Sequence, residues 1–283
     1  MILLSMYNIY MSHYKVGICG VGFVGNAILQ FLTNKKEIDI VAYDKYKHSE
    51  HKEISDFSQL LSTDLLYICL PTPYSNYIKT YFLKEINTIL EALAVSQYKG
   101  VILIKSTLLP DFCSHMNTVY PDLFIVHNPE FLTARSAVSD FAKQKHIVLG
   151  FTEQAKVKTE YVKNFYQQLF PEATISITIS EASALMKLSC NSFYATKVQF
   201  FTEIYLLCDQ MKISYDEVKD LMLKNEWISP HHTNVPGPDS RISFGGDCFP
   251  KDLSALSAYM ELKDVPNTVI KAVIMERNEM RDD

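Results

Sequence analysis

The sequence predicts an α/β fold in which a doubly wound parallel sheet is followed by an all-helical domain. Three observations lead there. From residue 15 to about 179, short aliphatic or β-branched runs alternate with longer amphipathic stretches, the pattern of buried strands joined by helical crossovers. A glycine-rich turn follows the first of those runs. After residue 180 the strand signal stops, and a long stretch free of Gly and Pro begins.

The strands expected in order are Lys15–Cys19, Ile38–Tyr43, Leu65–Leu70, Val101–Lys105, Leu123–Val126, Ile147–Gly150 and Thr174–Ile179. Each is a short run of the branched or apolar side chains that suit a pleated, buried surface. Helical spacing of apolar residues fills Phe23–Leu32, Ile78–Leu93 and Gln154–Leu169. Beyond them, Glu181–Asp209 is expected as one long helix, with shorter ones at Tyr215–Lys224, Lys251–Glu261 and Val269–Met280. Between these, Ile228–Phe249 holds three Gly and three Pro and predicts an ordered loop. The expected domains are residues 1–180 and residues 181–283.

The bulk composition sets limits on function. With 283 residues the chain has room for about two ordinary domains. A net charge of -5 and the lack of a basic cluster argue against nucleic acid as a partner. No run approaches the roughly 20 apolar residues of a membrane span, and the first residues show neither a basic leader nor a cleavage signal. The six cysteines lack CxxC or zinc-site spacing, and most lie in apolar runs. A reducing, cytoplasmic location and no metal are the expectations; the adjacent His231 and His232 lack further ligands nearby in sequence.

The first strand runs into Gly20-Val21-Gly22-Phe23-Val24-Gly25, the GxGxxG spacing of a Rossmann-like dinucleotide turn. Gly20 permits the tight turn, Gly22 and Val24 lie where a pyrophosphate approaches, and Gly25 lets the helix pack on the strand. Asp44, closing the second strand, is placed to accept a hydrogen bond from an adenosine ribose hydroxyl. Its charge favours NAD over NADP, a preference softened by Lys45 and Lys47. Loops at Pro71-Thr72-Pro73 and Lys105-Ser106-Thr107 follow later strands, where ligands of open sheets collect.

Cys248 stands apart from the other cysteines. It follows Gly245 and Gly246 in a polar loop and precedes Lys251, whose charge would favour a thiolate. The segment Phe244-Gly-Gly-Asp-Cys-Phe-Pro-Lys-Asp252 resembles the GFGGSCFPKD signature of the nucleotide-sugar 6-dehydrogenase family. Leu70-Pro-Thr-Pro73, Lys105-Ser-Thr107, Asn128-Pro-Glu-Phe-Leu132 and the Lys187/Asn191 pair resemble further family segments, in family order. With the glycine turn they span the chain from residue 15 to about 280.

The resemblance implies a two-step oxidation of a sugar 6-hydroxyl to a carboxylate with two NAD, UDP-glucose being the expected substrate. Cys248 would attack the intermediate aldehyde to give a thiohemiacetal, then a thioester that water hydrolyses. Lys187 and Asn191, one helical turn apart, would stabilise developing oxyanions. A solvated helix face is the other reading of that pair. Asp252, with Thr107 and a water, would accept the proton, and Glu130 would assist hydrolysis. Pro71, Thr72, Thr107 and Lys251 are expected beside the cofactor. Glu130, Phe131, Leu132, Lys187, Asn191, Phe244 and Gly245 are expected to hold the substrate. Phe249 in the CFPKD run favours UDP-glucose over GDP-mannose.

Three departures from the family pattern stand out. Ala134 replaces a second glutamate. Ser243 and Asp247 replace a glycine and a serine, and a carboxylate at 247 would disfavour the thiolate. The chain also stops near the point where the family's next α/β domain, which holds the nucleotide, should begin. A homodimer through the long helix is expected, and a partner that supplies the nucleotide contacts is one reading of the missing domain. The competing readings are a single-step β-hydroxyacid dehydrogenase, which needs no cysteine, and an NAD-binding scaffold without turnover.

Overall fold

The computed structural model describes residues 13–47, 54–133 and 135–283. The strands are β1 (Tyr14–Cys19), β2 (Ile38–Tyr43), β3 (Leu65–Ile68), β4 (Tyr74–Ser75), β5 (Thr80–Tyr81), β6 (Val101–Ile104), β7 (Phe124–His127), β8 (His146–Phe151) and β9 (Thr174–Ile179). The helices are α1 (Phe23–Leu32), α2 (Phe57–Leu60), α3 (Lys84–Val95), α4 (Phe112–Val119), α5 (Ala137–Ala142), α6 (Thr159–Leu169), α7 (Ser180–Met211), α8 (Tyr215–Leu223), α9 (Phe249–Leu262) and α10 (Thr268–Met280). The chain divides into two units: the residues through Thr72 with Leu83–Ala184, and Pro73–Phe82 with Leu185–Asp283.

In the first unit, seven strands form one sheet in the order β2-β1-β3-β6-β7-β8-β9. The alternation of apolar runs is explained by burial on both faces. Val16, Ile18, Leu65, Tyr67, Val101 and Leu103 face a core completed by Ala27, Ile28 and Leu32 of α1 and Val162, Phe165 and Tyr166 of α6. Their neighbours Leu66, Ile68, Ile102 and Ile104 face Ile86, Leu90 and Leu93 of α3 and Phe112 and Met116 of α4. Side chains alternate across a strand with period two, so a strand buried on both faces carries an unbroken apolar run.

β1 pairs with β2 on one side and β3 on the other, both parallel. The strand order therefore reverses beside β1, and the crevice at its carboxyl end opens at Gly20. The doubly wound, Rossmann-like sheet is present, with one change: β7 and β8 pair antiparallel through Val126↔Phe151 and His127↔Gly150. The sequence reading had no signal for this reversal, because strand direction leaves no trace in side-chain periodicity.

The expected helix at Ile78–Leu93 is corrected. Only Lys84 onward is helical; Thr80 and Tyr81 form one arm of a two-residue hairpin with Tyr74 and Ser75. Lys79 sits at φ 50, and the β-branched and aromatic residues that follow favour the extended chain. This hairpin belongs to the second unit, so that unit is not purely helical, and the two units divide within α7 between Ala184 and Leu185 rather than between 180 and 181.

The second unit is organised around α7, 32 residues long. Lys212, at φ 56, ends it in the left-handed cap conformation, where the Ile213 amide donates to Cys208 O at 3.0 Å. Ser214 starts α8 by accepting from the Glu217 amide. Ala195, Phe244, Leu253 and Val273 form one small core, and Phe201, Cys208 and Tyr215 another. No helix among the described residues is long and apolar enough to cross a membrane.

Candidate active site

In the first unit the turn after β1 is shaped by what its glycines lack. Gly20 has φ +90 and its amide donates to Tyr43 O at 2.8 Å. A Cβ at Gly25 would collide with the Gly20 carbonyl oxygen, whereas one at Gly22 would meet nothing within 4 Å. Gly25 thus permits the close packing of α1, and Gly22 leaves open space where a ligand's phosphates can come against backbone. Asp44 Oδ2 accepts from the Val21 amide at 2.7 Å, and Lys47 Nζ donates to Val21 O at 2.6 Å. Asp44 therefore braces the turn as well as ending β2, a contact the sequence reading did not foresee.

The loops after β3 and β6 are stitched together. Ser106 Oγ donates to Leu70 O at 2.6 Å and accepts from the Leu70 amide; Thr72 Oγ1 donates to Thr107 O at 2.9 Å. Thr72 and Thr107 are both buried, while Pro71 is exposed. Glu130 Oε2 accepts from the Leu132 amide at 2.5 Å. Beneath that segment, Tyr67 donates to the Tyr166 hydroxyl at 2.9 Å, and Tyr166 donates to Asn128 Oδ1. Lys105 is buried with its ammonium over the rings of Tyr67 and Phe141. Burial pushes the Cys69 thiol up to about 12, against the pull of the Lys105 charge. Ala134 lies outside the described residues, as do residues 1–12.

In the second unit the predicted residues converge on one carboxylate. Asp252 is 0% exposed. Asn191 Nδ2 donates to Oδ2 at 2.6 Å, and Lys251 Nζ donates to Oδ1 at 2.5 Å. Lys187 and Asn191 are both buried, so the alternative of a solvated helix face is discarded. Lys251, expected to favour a Cys248 thiolate and to sit beside the cofactor, pairs with Asp252. Cys248 is the N-cap residue of α9, and its carbonyl accepts from the Asp252 amide at 3.0 Å. It is exposed, whereas Cys19, Cys113 and Cys208 are buried and Cys69 and Cys190 partly so. A thiol at a helix N-terminus is favoured as thiolate by the unpaired amides there.

Two groups of residues escaped the sequence reading. Tyr81 Oη donates to Asp252 Oδ1 at 2.6 Å across 171 residues. Burial, then the Asp252 charge, push the pKa of its hydroxyl well above the ordinary tyrosine range. Arg277 and Arg281 clamp the loop ahead of Cys248: Arg277 Nε donates to Phe244 O at 3.2 Å, and Arg281 Nη1 to Ile242 O and Ser243 O. Arg281 is in turn held by Asp239 and Asp283 at 2.6 and 2.8 Å, and its guanidinium fills the space a Cβ at Gly245 would need. Ser243 adopts φ 59, which explains why glycine suits this position, and its hydroxyl donates to Gln199 Oε1 at 2.5 Å. His232 stacks on Tyr194 at 4.9 Å and meets the edge of Phe249 at 5.5 Å. His232 thus serves packing, and burial lowers the pKa of its imidazole. No group of three or more His, Cys, Asp or Glu among the described residues could hold a metal.

Comparison with known proteins bears on this arrangement. The model of the UDP-glucose/GDP-mannose dehydrogenase family NAD binding domain matches residues 47–170, and that of the family's central domain matches residues 181–279. The chain belongs to this family. A Rickettsia felis UDP-glucose 6-dehydrogenase is 34% identical over 179 residues, covering 62% of this chain and 38% of the relative. The Rickettsia prowazekii UDP-glucose 6-dehydrogenase is 29% identical over 262 residues, covering 88% and 58%. The chain therefore spans between about two-fifths and three-fifths of the length of these relatives. A UDP-glucose dehydrogenase structure from Pyrobaculum islandicum shares the fold at a TM-score of 0.79 and 20% identity, covering 94% of this chain and 68% of that one.

NAD is the cofactor of this family's first domain. The turn fits it: the space open over Gly22 and the strained Gly20 are what a pyrophosphate against backbone requires.

Proposed function

We propose that the chain oxidises the 6-hydroxyl of UDP-glucose to the carboxylate in two hydride transfers, with Cys248 as covalent nucleophile. The observation that carries this reading is the pairing of an exposed cysteine at the start of α9 with a buried, multiply bonded carboxylate one turn later. A single-step oxidation of a hydroxyl requires no thiol.

NAD, when bound, supplies the hydride acceptor. In the first step O6 gives up its proton to Asp252 as C6 loses hydride, leaving an aldehyde. The Cys248 thiolate adds to that carbonyl carbon, and the oxygen takes a proton to complete a thiohemiacetal. Loss of that proton and a second hydride gives a thioester; water then cleaves it, returning the thiol and a carboxylate. Lys187 and Asn191, buried on one face of α7, are assigned to the oxyanions. Thr107 is assigned to orienting water, and Glu130 to hydrolysis and substrate anchoring, with Phe131, Leu132, Phe244 and Gly245 along the sugar.

Homodimerisation is supported by the exposed apolar residues Phe193, Phe200 and Leu207 at seven-residue spacing on α7. A cytoplasmic setting suits six cysteines that are all free.

The test is NADH formation by the purified chain with NAD and limiting UDP-glucose, with GDP-mannose in parallel. Two NADH per UDP-glucose consumed support the four-electron reaction. One NADH per sugar would point to a single-step dehydrogenase, and none despite NAD binding would leave a scaffold.

A further inference from the structure

Around Asp252, two of the hydrogen-bond donors come from residues that the sequence resemblance also marks, Lys251 and Asn191. Tyr81 does not. It lies on the hairpin arm β5, is 2% exposed, and brings its hydroxyl to 2.6 Å from Oδ1. The Lys251 ammonium sits 4.9 Å above its ring while bonding the same oxygen at 2.5 Å. Tyr74, on the opposite arm β4, meets the ring edge-on at 6.5 Å.

A carboxylate oxygen has two lone-pair directions. Tyr81 and Lys251 take both on Oδ1. Asn191 takes one on Oδ2, and the other has no donor among the described residues. The carboxylate cannot rotate without breaking these contacts, so only one acceptor direction remains for a reacting proton.

We propose that Tyr81 is a positioning residue: its hydroxyl locks the Asp252 carboxylate in one orientation and confines its basic lone pair to Oδ2. The reaction role rests on the dehydrogenase reading above. The groups that face this pair are Cys248 and Lys251 from α9, Asn191 from α7 and Tyr74 from β4. Burial, the Asp252 charge and the hydrogen bond to it all keep the Tyr81 hydroxyl protonated, so it remains a donor throughout the neutral range.

Two experiments on the full chain decide the matter. In Tyr81→Phe the ring and its packing stay, and one donor to Oδ1 is lost. Turnover should fall by roughly one order of magnitude or more with KM within about twofold, as expected for a charged hydrogen bond lost beside a proton acceptor. Turnover unchanged, or KM rising in step with the loss of turnover, would overturn the proposal.

The second experiment needs no activity and no folded Tyr81 variant. Tyrosine labelled at the ring carbon that bears oxygen is titrated by NMR in the wild type and in Asp252→Asn. The Tyr81 signal should stay in its protonated form to higher pH in the wild type than in Asp252→Asn, by roughly one unit or more. Coincident titrations would overturn the proposal. A chain that forms no NADH sinks the dehydrogenase reading, and the NMR comparison then decides the Tyr81–Asp252 pairing on its own.

Discussion

At the turn after β1 the working parts are backbone amides and the space left by absent side chains. At the start of α9 they are side chains gathered from β5, α7 and α9 around one buried carboxylate. The first arrangement occupies a few consecutive residues and depends on glycine; its partners, Tyr43 and Asp44, end the neighbouring strand. The second joins positions up to 171 residues apart and depends on charge. Backbone sites are tolerant of everything except an added atom, whereas a buried carboxylate is tolerant of nothing that removes a donor.

This contrast can be broken or sharpened by substitution. The largest effect is expected from Cys248→Ser: loss of UDP-glucose-dependent NADH on the order of 10³-fold or more, measured by steady-state assay, with NAD affinity unchanged. Appreciable four-electron turnover in that variant would remove the nucleophile from the account. Next come the two glycines. Gly25→Ala drives a Cβ into the Gly20 carbonyl, so it should lower stability by about 1–3 kcal/mol and weaken NAD binding, read by thermal melting and by titration. Gly22→Ala meets open space in the protein and should leave the melting temperature nearly unchanged while weakening NAD alone. If both alanines melted alike, the turn would not be a site shaped for a ligand.

Arg281→Ala should act on the second unit. It leaves the Ile242 and Ser243 carbonyls short of a donor and opens space beside Gly245, costing about 1–3 kcal/mol by denaturant unfolding. Turnover should fall as well, because the loop bearing Cys248 loses a brace. The smallest effect concerns pH. The Arg281 guanidinium holds the Asp239 and Asp283 carboxyls below their ordinary range. Depressed carboxyls add stability above the unfolded-state value, near pH 4, and that contribution fades as pH falls through the lower folded value. Arg281→Ala should therefore flatten the stability slope below about pH 4, by a modest amount because both carboxylates are partly exposed.

What the sequence made legible follows the same contrast. Strands β2 and β9 and helix α1 match the expected ranges residue for residue, because runs of β-branched side chains and an apolar helical stripe each leave a local pattern. The short helices α2, α4 and α5 left too few turns for a period to register, and the β4–β5 hairpin was hidden inside what looked like helix. At the candidate site, Lys187, Asn191, Cys248 and Asp252 were marked by their resemblance to the family's segments. Tyr81, Arg277 and Arg281 were not, since their roles exist only through partners distant in sequence. The bond from Lys251 to Asp252 shows the limit from the other side: a cation next to a carboxylate in sequence gave no sign that the carboxylate would be buried.

The most direct test of the central claim is the mass of the Cys248 peptide after acid quenching during turnover with NAD and UDP-glucose. Glu130→Gln would be used to slow hydrolysis. The account requires a sugar-derived acyl adduct on Cys248 that appears with the second NADH and disappears as product forms. Turnover to the carboxylate with that peptide unmodified at every time point, and undiminished in Cys248→Ser, would contradict it.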